Sequence, residues 1–200
     1  MGLVIYGVFL LYLAVSVGLV MAAAFAAKKR NIARWKFALP VGLVMYLLVF
    51  WDHIPTVVTH KYYCDKYAGL TVYKTVEQWK AENPGVAETL VANEGWDKHP
   101  EYINEERVYK LNERFHLVTG SSQESLGIKK RFSKVVDVRG NKIVAERVNF
   151  STDIKNLSLG QRNFRDYKFW MGNDSCEPPG SYTQANGFKS ILQKYLHIGG

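Results

Sequence analysis

An uninterrupted apolar run at the start most limits what this chain can become: no charged residue occurs between Gly2 and Ala27. As a helix, Leu3–Ala27 reaches about 37 Å at 1.5 Å per residue. That crosses a bilayer core of about 30 Å with some tilt. A signal peptide places Lys or Arg ahead of a shorter apolar core. Neither condition holds here, so a retained span over residues 3–27 is expected.

A second uncharged stretch, Phe37–Trp51, is short for a crossing. Trp35 and Trp51 bracket it, about 24 Å apart along a helix, and indoles favour the membrane interface. Continued through Asp52 and His53 to Ile54, it gives a span over 37–54 that stops at Pro55; Pro40 falls near the first turn, where a missing N–H costs little. Between the two segments, in residues 28–36, lie Lys28, Lys29, Arg30, Arg34 and Lys36. Short basic loops stay on the cytoplasmic side, and the same cations are placed to meet lipid headgroups. The pattern predicts a hairpin anchor over 1–58. Both termini and a domain over 59–200 then lie outside the cytoplasm, in a bacterium the inner membrane with a periplasmic domain. The short second segment alone carries that assignment of sides.

A mean hydropathy of −0.14 resembles that of a soluble protein only because the apolar residues are bunched at the front. The net charge of +8 also needs dividing. Half of the excess sits in the anchor, where only Asp52 opposes the five cations, so the remainder is too mildly basic to point to nucleic acid. Membrane lipids and other membrane or periplasmic proteins are the expected partners.

Cys64 and Cys176 are the only cysteines and lie 112 residues apart. An even, sparse count outside the cytoplasm predicts one disulfide tying the start of the domain to its end. Asn-x-Ser sequons occur at Asn149, Asn156 and Asn173; they matter only in a eukaryotic secretory setting, and Asn- and Ser-containing chains produce them by chance.

The domain reads as α+β with an antiparallel sheet. His60–Val76 is dense in aromatic and β-branched residues and reads as extended. Thr75 followed by Gln78 has the form of a capping box, starting a helix from Val76 to about Glu82 before Pro84-Gly85. A second helical piece is expected over Val86–Ala92, and a strand over Arg107–Thr119. Arg131–Val138 and Ile143–Phe150 read as two strands joined at Gly140-Asn141 by a two-residue turn. Lys134, Asp137, Glu146 and Arg147 suggest that one face is wet. Tyr167–Trp170 is a further strand candidate. Ser181 or Thr183 can cap a C-terminal amphipathic helix reaching Ile198, with Phe188, Ile191, Leu192 and Tyr195 on one apolar face. That face packs on the sheet or docks a partner.

Recognisable catalytic signatures are missing: G-x-S-x-G, H-E-x-x-H, the P-loop, C-x-x-C, the dinucleotide fingerprint and the haem-attachment pattern. His53, His60 and Cys64 would share one face of a continuous helix and suit zinc or copper. Pro55 and the run Thr56-Val57-Val58-Thr59 argue against such a helix, and a disulfide would consume Cys64. No cofactor, metal or small-molecule substrate is therefore expected, and Asp52 and His53 read as marking the membrane–water boundary. His99 and His116 read as structural, and Lys129-Lys130-Arg131 as a solvated hairpin edge. Small residues Gly18, Ala22–Ala24, Ala26 and Ala27 suit close helix packing in lipid, and neither span carries a buried ionisable pair of the kind a channel or transporter uses. These features favour a non-enzymatic accessory, assembly or scaffold subunit of an envelope complex. A peptide-, glycan- or lipid-binding module comes next, then an enzyme with an unrecognised site.

Overall fold

The computed structural model describes residues 2–152, 168, 171–172, 175–177 and 182–200. Among them are five α-helices and one six-stranded, open, antiparallel sheet. The chain forms two compact units. One comprises Met1–Thr59 with Asp153–Asn173, the other His60–Thr152 with Asp174–Gly200.

In the first unit, α1 (Gly2–Lys29) is apolar all round and has the length and composition of a membrane anchor or a signal sequence. Helix α2 (Trp35–Phe50) packs against it. The Tyr12 hydroxyl donates to the Met45 carbonyl. A Cβ at Gly42 would stand 3.7 Å from a Val20 methyl. Pro40 lies inside α2, deeper than the first turn that the sequence suggests.

Helix α3 (His53–Tyr67) follows at a bend of 63°. It replaces the extended structure expected from His60 onward. Pro55 is its third residue, and the first four N–H groups of a helix have no internal acceptor, so a missing donor there costs nothing. The β-branched and aromatic run is held helical by contacts made far along the chain, which outweigh its weak strand preference.

Only Gly69–Val72 (β1) remains extended from that stretch. Helix α4 (Val76–Glu82) begins with the reciprocal Thr75–Gln78 capping box that the spacing predicts. Val86–Ala92 yields a single 3₁₀ turn, Ala87–Thr89. The strand expected over Arg107–Thr119 is two: β3 (Glu106–Lys110) and β4 (Phe115–Gln123), with β2 (Glu101–Ile103) outside them. Strands β5 (Lys129–Asp137) and β6 (Lys142–Ser151) complete a sheet ordered β1-β6-β5-β4-β3-β2. Both edge strands are short, which limits edge-to-edge association. Asp137 pairs with Lys142, so the β5–β6 connection has four residues, not two. Asp137 Oδ1 accepts the Gly140 N–H at 3.2 Å and fixes this longer turn.

The register puts Leu117, Val135 and Ala145 in one row across three strands. With Trp79, Phe115 and Leu111 they form the main core, which α5 (Thr183–Leu196) covers. Gly187 lets α5 approach β1, since a Cβ there would stand 2.9 Å from Leu70 Cδ2. Phe188, Leu192 and Tyr195 are buried in this core with Ile191 packed against it, so of the two uses open to this face the helix packs it on the sheet. Helix α5 stops at Leu196, and its first residue, Thr183, is not its cap. Tyr182 precedes it at φ +41° without a capping side chain, and Glu177 supplies an acceptor to the Ala185 N–H at 3.2 Å instead. Ser181 lies outside the described residues, as do Tyr167, Phe169 and Trp170 of the expected last strand.

The charges on β5 and β6 divide between the two faces. Lys134 and Glu146 face each other on the open side at 3.7 Å. Asp137 is buried on the core side, where Arg114 grips it through Nε at 2.5 Å and Nη2 at 3.0 Å. Trp79 Nε1 donates to the same carboxylate at 2.9 Å. Burial opposes its ionisation, yet the Arg114, Trp79 and Gly140 donors together hold the carboxyl below its ordinary range.

Candidate functional site

Among the described residues, chemically versatile side chains converge at the junction between α3 and the far end of β6. His60 and Cys64 are one helical turn apart on α3, so both project from one face. That face meets Phe150: its ring stacks on Tyr63 with centroids 5.1 Å apart, and its carbonyl lies 3.1 Å from His60 Nε2. A carbonyl oxygen only accepts, so Nε2 carries the proton, and in the neutral ring Nδ1 keeps its lone pair. Cys64 Sγ lies 3.8 Å from Nδ1.

Cys176 closes the group. It is disulfide-bonded to Cys64, with Cα atoms 5.1 Å apart, and this bond favours an oxidising compartment. Asn149 positions the segment that carries Cys176: its Oδ1 accepts the Cys176 N–H at 2.9 Å and its Nδ2 donates to Ser175 Oγ at 2.9 Å. Ile128, Val148 and Phe150 form a small second core with Tyr63, Ala68, Phe132 and both cysteines packed against it. His60 itself is buried. The Asn149 amide is thus committed to an internal contact, and the sequons at Asn156 and Asn173 lie outside the described residues.

The obstacle that the sequence places in front of a shared His60–Cys64 face is removed, because α3 runs continuously through Pro55. His53 does not join the group. Its Nδ1 is 2.9 Å from the Tyr46 hydroxyl, one interaction within the first unit. Asp52 also has a structural partner. It is buried and paired with Lys168 at 2.5 Å, a partner that no local pattern connects to it. Lys168 also lines an apolar groove of about 480 Å³, together with Val4, Val8, Phe9, Leu48 and Trp51. Lys28, Lys29, Arg30, Arg34 and Lys36 are all exposed, as are Trp35 and Trp51.

Burial is the leading cause of the shift at His116 and Tyr195. Burial lowers the affinity of His116 for a proton, Lys110 adds to that, and Glu101 partly opposes it. Burial raises the Tyr195 phenol, whose hydroxyl donates to the Lys74 carbonyl at 2.8 Å. Both read as packing consequences. No family model, curated protein or solved structure matches this chain.

Proposed function

We propose that the chain is a membrane-anchored accessory or scaffold subunit of an envelope complex, with α1 and α2 as a two-span hairpin and the second unit outside the cytoplasm. The observation that carries this reading is the exposure of large apolar side chains on two neighbouring helices. On α1, Leu3 is 78 % and Leu11 65 % exposed; on α2, Leu39 is 62 % and Leu48 65 % exposed. A helix that is apolar all round belongs in a core or in lipid, and these helices supply no core that covers them.

Three features support the assignment of sides. The five cations from Lys28 to Lys36 sit between the helices, where short basic loops remain cytoplasmic. The sharp bend falls beside the exposed Trp51, where an indole suits the headgroup layer. The disulfide suits an oxidising compartment. Helix α2, with 16 residues, is about 24 Å long; its flanking tryptophans and local thinning of the bilayer accommodate the shortfall. A non-catalytic role suits a second unit in which the buried carboxylates Asp137 and Glu177 are paired with Arg114 and Arg147.

Alkaline phosphatase fused after Gly200 is expected to be active, and fused within residues 28–36 inactive. The reverse pattern refutes the topology. Mild-detergent purification followed by native mass spectrometry tests the subunit role: stable stoichiometric companions support it, and a lone monomer removes it.

A further inference from the structure

We infer that His60, Cys64 and Cys176 form a redox-gated site for a thiophilic d¹⁰ cation, with zinc as the probe: closed while the disulfide is intact and open once it is reduced.

The argument starts from the imidazole. A metal-binding histidine is typically fixed by donating its other ring N–H to a carbonyl or carboxylate. Phe150 O performs this for His60 Nε2 at 3.1 Å, which leaves the Nδ1 lone pair for an ion; Cys64 Sγ stands almost equidistant from the two ring nitrogens, 3.8 Å from Nδ1 and 3.7 Å from Nε2, so a small turn of the ring aims Nδ1 at a shared ion. Zinc bonds of about 2.3 Å to sulfur and about 2.0 Å to nitrogen, at a tetrahedral angle, place N and S about 3.5 Å apart. Nδ1 and Cys64 Sγ stand 3.8 Å apart already. All three ligand atoms lie within 4.8 Å of one another. On reduction the two sulfurs need to separate only to about 3.8 Å to occupy two tetrahedral corners. Both are held for this: Cys64 by α3, and Cys176 by the Asn149 side chain on its backbone N–H. Three protein ligands leave a fourth position for water or a small anion.

Opening requires a dithiol reductant. Its thiolate attacks one sulfur of the Cys64–Cys176 bond and forms a mixed disulfide, releasing the other sulfur as a thiolate. The reductant's second thiol then displaces the first cysteine. Two electrons pass to the cysteines, and the dithiol leaves as a disulfide. Zinc binding then releases one proton from each cysteine thiol still protonated.

The test uses the full chain in detergent micelles. One sample stays oxidised; another is reduced with a phosphine, which is removed under anaerobic conditions. Zinc ion alone is titrated into each against a chromophoric chelator. The reduced chain is expected to take up one equivalent tightly and the oxidised chain none. His60→Ala is expected to weaken uptake at least about tenfold, and Cys64→Ser or Cys176→Ser to abolish competition with the chelator. Equal uptake in both redox states overturns the site, as does unchanged affinity in His60→Ala or no uptake by the reduced chain. Circular dichroism covers the case in which reduction loosens the second unit. Zinc must then restore the oxidised spectrum, and failure to do so also overturns the inference. Cobalt gives an independent readout, since two thiolate ligands produce a thiolate-to-metal absorption that His60→Ala shifts and that the oxidised chain lacks.

Discussion

Asp137 is a residue whose removal the structure makes costly. Its carboxylate satisfies Arg114 twice, Trp79 Nε1 and the Gly140 N–H. Arg114 also lies over the Trp79 ring, 5.3 Å from its centroid. Asp137→Ala strands a largely buried guanidinium and an indole N–H together. Breaking a buried pair from one side costs about 3–5 kcal/mol, so a loss of about 4 kcal/mol is expected. With a urea m-value of about 1–3 kcal/mol/M, the midpoint of the second unit should fall by at least about 1 M. Tryptophan fluorescence of the full chain in detergent reads this, because Trp79 loses its partner. Arg114→Ala is expected to cost less, since Trp79 and Gly140 still solvate the anion. The double variant should recover about 1–3 kcal/mol relative to the sum of the singles. The pH dependence follows from the depressed carboxyl: the contribution is complete above the unfolded value of about 4 and fades as pH falls through the lower folded value. A loss under about 1 kcal/mol for Asp137→Ala, additive singles, or a wild-type advantage that persists unchanged at the lowest pH would each refute this account.

Three other outcomes are expected. Replacing Cys64 and Cys176 together by Ser should lower the stability of the second unit by about 4–5 kcal/mol on the chain-entropy account of so long a loop, read as a drop in thermal midpoint matched by wild type under reductant. Thr75→Ala should cost about 1 kcal/mol, because both halves of the capping box are present; a urea midpoint unchanged within error contradicts it. The His116 imidazole should titrate below its ordinary value of 6.5 in a proton NMR titration, and a midpoint at or above that value contradicts the burial of its ring.

Local pattern was most informative where the deciding residues are near neighbours in sequence. The Thr75–Gln78 box, the β5 and β6 strands and the apolar spacing of α5 all follow from near-neighbour rules. The candidate site was half legible. Two cysteines behind an apolar N-terminal run pointed to a disulfide, and the His60–Cys64 spacing already implied one helix face. Its recognition failed at Pro55, because proline at the third position of a helix is harmless and proline in the interior is not. Sequence alone does not say which position applies. Phe150, which fixes the imidazole, is 90 residues away, and no local signal links the two. The same holds for Glu177 as the acceptor at the start of α5, and for Lys168 as the partner of Asp52.

The apolar run from Leu3 to Ala27 determined by itself that this chain needs an apolar surrounding along its first helix, because hydrophobic transfer depends on composition and length and not on what the chain packs against. The cation cluster and the cysteine pair set the expected sides and compartment in the same composition-level way. Tertiary structure decided the rest: that the aromatic stretch after Pro55 is helix and not strand, that Asp137 is buried while Lys134 is not, and that α5 spends its apolar face inside the domain. Each of these turns on contacts between residues distant in sequence. Their energies of a few kcal/mol exceed the tenths by which local propensities differ.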